Sequence, residues 1–426
     1  MLAEDDGVTR RSLLRTSGVA VVSSAVGAII GGCSRPSTAI AGDAPPPIKL
    51  PRLLASTESE THEIEAPLPP EQRLGFAIVG LGRLSIEQIL PAFAQTKLCR
   101  PVALVSGHRG KAEQVASRYG VAPKQIYDYQ SFERLADNEQ VQAVYIVLPN
   151  SLHAEYSERA SKAGKHVLCE KPMAVSSAEC QRMIEAAKSA GKKLMIAYRL
   201  QYEPHHRRLI ALSRSGALGK LKGLLASNGQ NQGDPQQWRL KRALAGGGAL
   251  PDVGIYCLNA ARYLTGEEPI LVSALTHSTP NDPRFSEVEE QIDFSLQFPS
   301  GFTASCTSSY GMHNSKMLRL HGERGWAQMS PAFPYQGLSL EVSTKHPDSE
   351  AEVVEQLKIP PKDHFALELD HFARCIMTGR EPHTPGQEGL QDVQLIEALY
   401  QSAKERRVVE LPAVAGSDPF RGPAPG

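Results

Sequence analysis

The sequence predicts an N-terminal doubly wound parallel α/β sheet, followed by a domain built on a large, mostly antiparallel open sheet flanked by helices. Three observations carry this. Short β-rich runs at Gly75–Val79, Pro101–Ser106, Ala143–Leu148, His166–Cys169 and Lys193–Ala197 are mostly separated by helix-patterned segments, as βαβ units require. Beyond Tyr202 the pattern changes to longer alternating runs (Ile270–His277, Gln291–Phe298, Phe302–Ser309, Leu338–Val342), with helical stretches at Gly248–Leu264, Asp363–Thr378 and Gln387–Arg406. At 426 residues the chain also exceeds one ordinary α/β domain, which spans about 100 to 200 residues.

In chain order, residues 1–41 read as a twin-arginine signal peptide. Thr9-Arg10-Arg11-Ser12-Leu13-Leu14-Arg15 is followed by a weakly apolar run, Gly18 to Gly32, too short to span a bilayer. The pattern implies the twin-arginine export machinery as a partner and a periplasmic destination. Two processing sites compete: Ala39-Ile40-Ala41 for ordinary cleavage, and a lipobox-like Ile30-Gly31-Gly32-Cys33 that would leave Cys33 as a lipid anchor. Residues 42–73 are a Pro- and Glu-rich arm or linker. Residues 74–200 form the first domain, 201–410 the second, and 411–426 a flexible tail.

Composition excludes several functions. Lys+Arg and Asp+Glu both number 46, so no basic field exists to hold nucleic acid. Cys99, Cys169, Cys180, Cys257, Cys306 and Cys375 contain no C-x-x-C pair and sit mostly in apolar runs, which argues against a disulfide framework. The histidines show neither H-x-H nor H-x-x-x-H spacing, so no metal site is expected. The twin-arginine route carries folded proteins, which suits both buried thiols and a cofactor taken up before export.

Ile78-Val79-Gly80-Leu81-Gly82-Arg83-Leu84-Ser85 ends the first strand and opens a helix, the setting of a Rossmann dinucleotide turn. Gly80 permits the tight turn, Gly82 admits backbone close to a pyrophosphate, and Ser85 takes the third small position. The second strand ends in Ser106-Gly107-His108-Arg109-Gly110-Lys111 and carries no carboxylate for a ribose 2'-hydroxyl. Ser106 with Arg109 or Lys111 would instead hold a 2'-phosphate, so NADP is the expected cofactor. The bland alternative makes Arg109 and Lys111 solvated residues of the next helix.

Ala77-Ile78-Val79-Gly80-Leu81-Gly82, Leu148-Pro149-Asn150-Ser151-Leu152-His153-Ala154, Cys169-Glu170-Lys171-Pro172-Met173-Ala174 and Asp234-Pro235-Gln236-Gln237-Trp238-Arg239 resemble the Gfo/Idh/MocA family. Ala245-Gly246-Gly247-Gly248 and Asp252-Val253-Gly254-Ile255-Tyr256 do so too, and the resemblance is strongest to the glucose-fructose oxidoreductase branch. It implies cofactor contacts at Gly80, Gly82, Arg83, Leu84, Ser106, Gly107, Arg109, Lys111, Pro149, Asn150, His153, Glu170, Lys171, Arg199, Trp238 and Arg239. It further implies catalysis by Lys171, Asp252 and Tyr256, and substrate contact at Tyr202, Asp252 and Tyr256. A homo-oligomer, tetramer or dimer, is expected on the same ground. Family members often carry His where this chain has Tyr256.

Removing hydride from a sugar C–OH needs a base for the hydroxyl proton and a cation to favour an alkoxide-like transition state. Lys171 follows a strand end, and Tyr256 lies one helical turn beyond Asp252, so the three can converge on one cleft. The reaction the resemblance implies is oxidation of an aldose at C1 to the lactone and reduction of a ketose or second aldose to the polyol, by a ping-pong cycle on retained NADP. The alternatives are a sugar dehydrogenase with dissociable NADP and a non-catalytic NADP-bound sugar sensor.

Overall fold

The computed structural model describes residues 67–345 and 349–425; the signal peptide, Cys33 and nearly all of the arm lie outside them. The first sheet comprises β1 (Leu74–Val79), β2 (Cys99–Val105), β3 (Ile126–Tyr127), β4 (Ala143–Ile146), β5 (His166–Glu170) and β6 (Leu194–Ala197). Its order is β3-β2-β1-β4-β5-β6, and every pairing is parallel. All six residues of β1 are buried, because helices cover both faces of a parallel sheet and leave no solvated side to alternate toward. The strand order reverses between β1 and β4, where such sheets open a crevice beyond their carboxyl ends.

The second sheet holds β7 (Leu221–Asn231), β8 (Leu271–His277), β9 (Gln291–Gln297), β10 (Thr303–Ser309), β11 (Gly311–Gly322), β12 (Gly325–Met329), β13 (Leu340–Lys345), β14 (Glu352–Leu357) and β15 (Val409–Glu410). They run in the order β14-β13-β12-β11-β7-β10-β9-β8-β15, antiparallel except where β10 pairs with β7. The alternation of β9 and β10 shows in their burial, with Ile292, Phe294, Leu296, Ala304 and Cys306 all inside.

One apolar core runs through both sheets, from Val144 and Cys169 in the first to Phe294 and Leu320 in the second. The helix Gly386–Glu405 packs on β8, β6 and the helix Ser177–Ser189, and so joins them. The helix His364–Thr378, though late in the chain, returns to the far face of the first sheet, where Phe372 meets Phe76. It starts cleanly because the Asp363 carboxylate accepts the N–H groups of Phe365 and Ala366.

The C-terminal segment is not the loose tail expected. Arg421 is buried, donates to Glu388 at 2.8 Å and to the Arg262 carbonyl at 3.1 Å, and pairs with Asp418. Arg262, fully buried, also meets Glu268, Glu388 and Asp392, so the chain end closes an internal ionic network. The six thiols Cys99, Cys169, Cys180, Cys257, Cys306 and Cys375 are free and buried.

Candidate active site

β5 ends at Glu170 and delivers Lys171 to the carboxyl edge of the first sheet. The second half supplies a π-helical turn, Leu250–Gly254, followed by the helix Ile255–Thr265. Such wide turns recur at functional sites because they displace a side chain from the regular helical path. This one carries Asp252, with Tyr256 just after it. Lys171 Nζ donates to the Asp252 carbonyl at 2.7 Å, lies 3.3 Å from its Oδ1, and stands 4.6 Å from the centre of the Tyr256 ring.

Asp252 is the electrostatic hub. Its Oδ2 accepts Arg239 Nε at 3.1 Å and the Tyr310 hydroxyl at 2.7 Å. Burial works against its charge, but Arg239, Lys171 and Tyr310 together hold the carboxyl well below the usual range. Burial likewise disfavours the Lys171 ammonium, yet Tyr256, Asp252 and Glu170 outweigh it and raise the Lys171 pKa above its ordinary value. Lys171 is therefore a fixed cation at neutral pH. A cation held in this way can stabilise negative charge and is unsuited to taking up a proton.

Arg199 approaches the Tyr256 ring at 5.0 Å and the Tyr335 ring at 4.7 Å, and its Nη2 donates to the Phe333 carbonyl at 2.7 Å. Its neighbour His364 is pushed down to about 2 by burial and by the Arg199 charge, so that imidazole is neutral. Glu170 accepts the Tyr145 hydroxyl at 2.7 Å, and burial raises its pKa although Lys171 pulls the other way. Trp238 lies under the Arg239 guanidinium at 4.6 Å, which carries the Gln-Gln-Trp-Arg loop to the Asp252 carboxylate.

The glycine-rich turn sits at the end of β1. Gly80 has φ +95°, and a Cβ there would stand 2.3 Å from the Val147 carbonyl oxygen, so only glycine fits. A Cβ on Gly82 would meet nothing within 4 Å, which leaves the outer side of the turn open. Arg83 is exposed and pairs with Glu87, while Leu84 leads into the helical turn beginning at Ser85. Next to it, His153 is tied through its two ring nitrogens to the Leu148 and Pro172 carbonyls, and Asn150 donates to the Ala245 carbonyl. These bonds fix the Pro149 loop beside Lys171. The open glycine turn and the converging loops fit a dinucleotide, and the absence of a carboxylate after β2 fits its 2'-phosphorylated form.

Two expectations change. Arg109 donates to the Ile126 and Pro123 carbonyls and pairs with Glu113, so it braces its own helix against β3. The exposed Lys111, with the buried Ser106 and adjoining Gly107, remains for a 2'-phosphate. Tyr202 makes no cleft contact: its hydroxyl bonds Thr384 at 2.9 Å and its ring packs near His371 and His383, inside the core. Sequence reading missed Tyr310, Phe333 and Tyr335, which reach the site from the second sheet and the loop after β12. Among the described residues no cluster of His, Cys, Asp and Glu could hold a metal ion.

The comparisons agree with this architecture. The model of the oxidoreductase family with NAD-binding Rossmann fold matches residues 74–198, and that of the GFO/IDH/MocA C-terminal domain matches residues 206–328. D-xylose 1-dehydrogenase (NADP(+)) of Haloarcula marismortui is 34% identical over 345 residues, covering 79% of this chain and 92% of the relative. A dTDP-3,4-didehydro-2,6-dideoxy-alpha-D-glucose 3-reductase of Actinomadura kijaniata is 29% identical over 338 residues, 77% of this chain and 95% of that protein. The crystal structure of aldose-aldose oxidoreductase from Caulobacter crescentus, complexed with glycerol, is 47% identical with a TM-score of 0.77 and covers 80% of this chain and 100% of that one. With both domains matched in order and these relatives spanned almost end to end, the chain belongs to the Gfo/Idh/MocA family of oxidoreductases.

Proposed function

We propose that the chain is an NADP-dependent sugar oxidoreductase that oxidises an aldose at C1 to the lactone and reduces a ketose or second aldose to the polyol. The observation that carries this reading is the convergence of Lys171, Asp252 and Tyr256 at the carboxyl edge of the first sheet. When bound, NADP supplies the hydride acceptor for the first sugar and the donor for the second. The Gly80–Leu84 turn, Ser106, Lys111 and the Pro149–His153 loop would hold it.

The remaining chemistry belongs to side chains of this chain. Tyr256 takes the proton of the C1 hydroxyl and returns one to the carbonyl oxygen of the second sugar. Lys171 stays protonated and stabilises the alkoxide-like oxygen. Asp252 keeps Lys171 and Arg239 in place. Similarity to an aldose-aldose oxidoreductase supports the paired-sugar cycle, while similarity to an NADP-dependent D-xylose 1-dehydrogenase favours the second reading, a dissociable cofactor.

Export in folded form by the twin-arginine route, with processing after Ala41 or lipidation of Cys33, belongs to the same proposal, as does assembly into a dimer or tetramer. A retained cofactor suits an enzyme working where no nicotinamide pool exists. Denaturing the purified protein should release stoichiometric NADP, and two sugars should turn over with ping-pong kinetics and no added cofactor. Activity only on addition of NADP would select the dehydrogenase, and absence of turnover with any sugar would leave the sensor. Replacing Arg10-Arg11 by Lys-Lys should retain active enzyme in the cytoplasm.

A further inference from the structure

Lys316 lies on β11 opposite Asn228 of β7, on the same side of the strand as the fully buried Leu318 and Leu320. That side is the inner face of the second sheet. Its Nζ donates to Asn228 Oδ1 at 2.8 Å, and Asn228, itself buried, donates through Nδ2 to the Val253 carbonyl at 2.9 Å. Two hydrogen bonds thus tie this ammonium to the residue following Asp252. The main chain of Lys316 is fixed as well, since its carbonyl accepts the N–H of Ala332 at 2.6 Å, one residue before the Phe333 carbonyl that binds Arg199.

The charges around it belong to the same cleft. Burial lowers the Lys316 pKa, Asp252 and Cys257 raise it, and Arg199 and Lys171 lower it further. Lys171 and Arg239 are matched by Asp252, whereas Lys316 pairs with no carboxylate among the described residues. An ammonium offers three N–H donors, and a half-buried one with a single amide acceptor is stabilised by any further oxygen brought to it. Lys316 is also partly accessible, as are Lys171, Asp252 and Tyr256.

We propose that Lys316 is a substrate-binding residue that donates to a sugar hydroxyl remote from the reacting carbon, so that the second sheet selects which aldose is held against Lys171 and Tyr256. This rests on the sugar oxidoreductase reading. The test measures kcat and KM of wild type, Lys316→Met and Lys316→Arg for an active aldose and its monodeoxy derivatives, with a saturating acceptor sugar to reoxidise a retained cofactor and, in a parallel set, with saturating NADP.

Loss of a charge-assisted hydrogen bond should raise KM of Lys316→Met about ten- to a hundredfold with kcat changed only a few-fold. Lys316→Arg should recover part of it. One monodeoxy sugar, already weak with wild type, should lose nothing more in Lys316→Met. Unchanged NADP affinity and thermal unfolding would mark the variants as folded. An unaltered KM, or an equal further loss for every monodeoxy sugar, would overturn the assignment while leaving the sugar reading intact. Absence of wild-type turnover on any aldose would remove both.

Discussion

Lys171 Nζ and the Asp252 carbonyl oxygen are joined at 2.7 Å, so the cation delivered by the first sheet is fixed by a turn that belongs to the second. Neither sheet owns the site.

Replacing the cation Lys171 or the proposed base Tyr256 should expose this division of labour. Lys171→Met and Tyr256→Phe are each expected to lower turnover about 10²- to 10⁴-fold, the range for groups that handle a proton or charge in the transition state. Because Lys171 remains protonated through neutrality, the pH profile of wild type should show no limb that vanishes in Lys171→Arg. Steady-state rates near normal in Tyr256→Phe would remove it from the chemistry.

The two glycines of the turn should separate folding from cofactor binding. Gly80→Ala places a methyl against the Val147 carbonyl at a positive φ and should lower the melting temperature. Gly82→Ala meets no protein atom, so it should melt like wild type while binding NADP at least about tenfold more weakly, through a methyl set where the proposed cradle would take the pyrophosphate. Fluorescence titration and thermal unfolding check both; equal NADP affinity in Gly82→Ala would displace the proposed cradle.

Ser106 is buried immediately after β2, where its Oγ accepts the His108 N–H at 3.1 Å, and Lys111 is exposed on the helix Arg109–Tyr119 that follows. Ser106→Asp should weaken NADP about ten- to a hundredfold and bring its affinity closer to that for NAD, since a carboxylate there repels a 2'-phosphate. An unchanged NADP/NAD ratio would place the adenosine end elsewhere.

The chain end offers a pH test. Asp418 is held down to about 2 from an ordinary 3.8: burial opposes its charge, and Arg214 and Arg421 overcome that. A lowered carboxylate stabilises the fold above its unfolded pKa and ceases to as pH falls through its folded one. Asp418→Asn should therefore cost about 2 kcal/mol at pH 7 and about half as much at pH 3. Equal losses in urea unfolding at both pH values would contradict the ion-pair origin.

What the sequence displayed and what it concealed have physical causes. β1 and β4 are enclosed on both faces and therefore appear as nearly unbroken apolar runs, and the Gly80 turn must follow the first of them. Asp252 and Tyr256 were legible because four residues of one helical path set their spacing. Tyr310, Tyr335 and Lys316 were not, because they approach from strands and loops more than fifty residues away and nothing local marks them. β7 and β11 escaped notice because Gly223, Gly229, Asn228 and Lys316 interrupt their alternation. Arg109 opens the helix after β2 and Tyr202 closes the short helical turn after β6, and only packing decides which way such side chains point. Arg421 finds Glu388 across thirty-three positions, with no periodic signal to announce it.

The six enclosed thiols give the molecule an internal clock. A disulfide-exchange reagent in solution can meet Cys169 or Cys257 only when the shared core opens, so labelling of each position times the opening of its neighbourhood. Between folding and unfolding, an oxidising medium finds none of these six sulfurs to react with; the interval of vulnerability is the time the chain takes to fold.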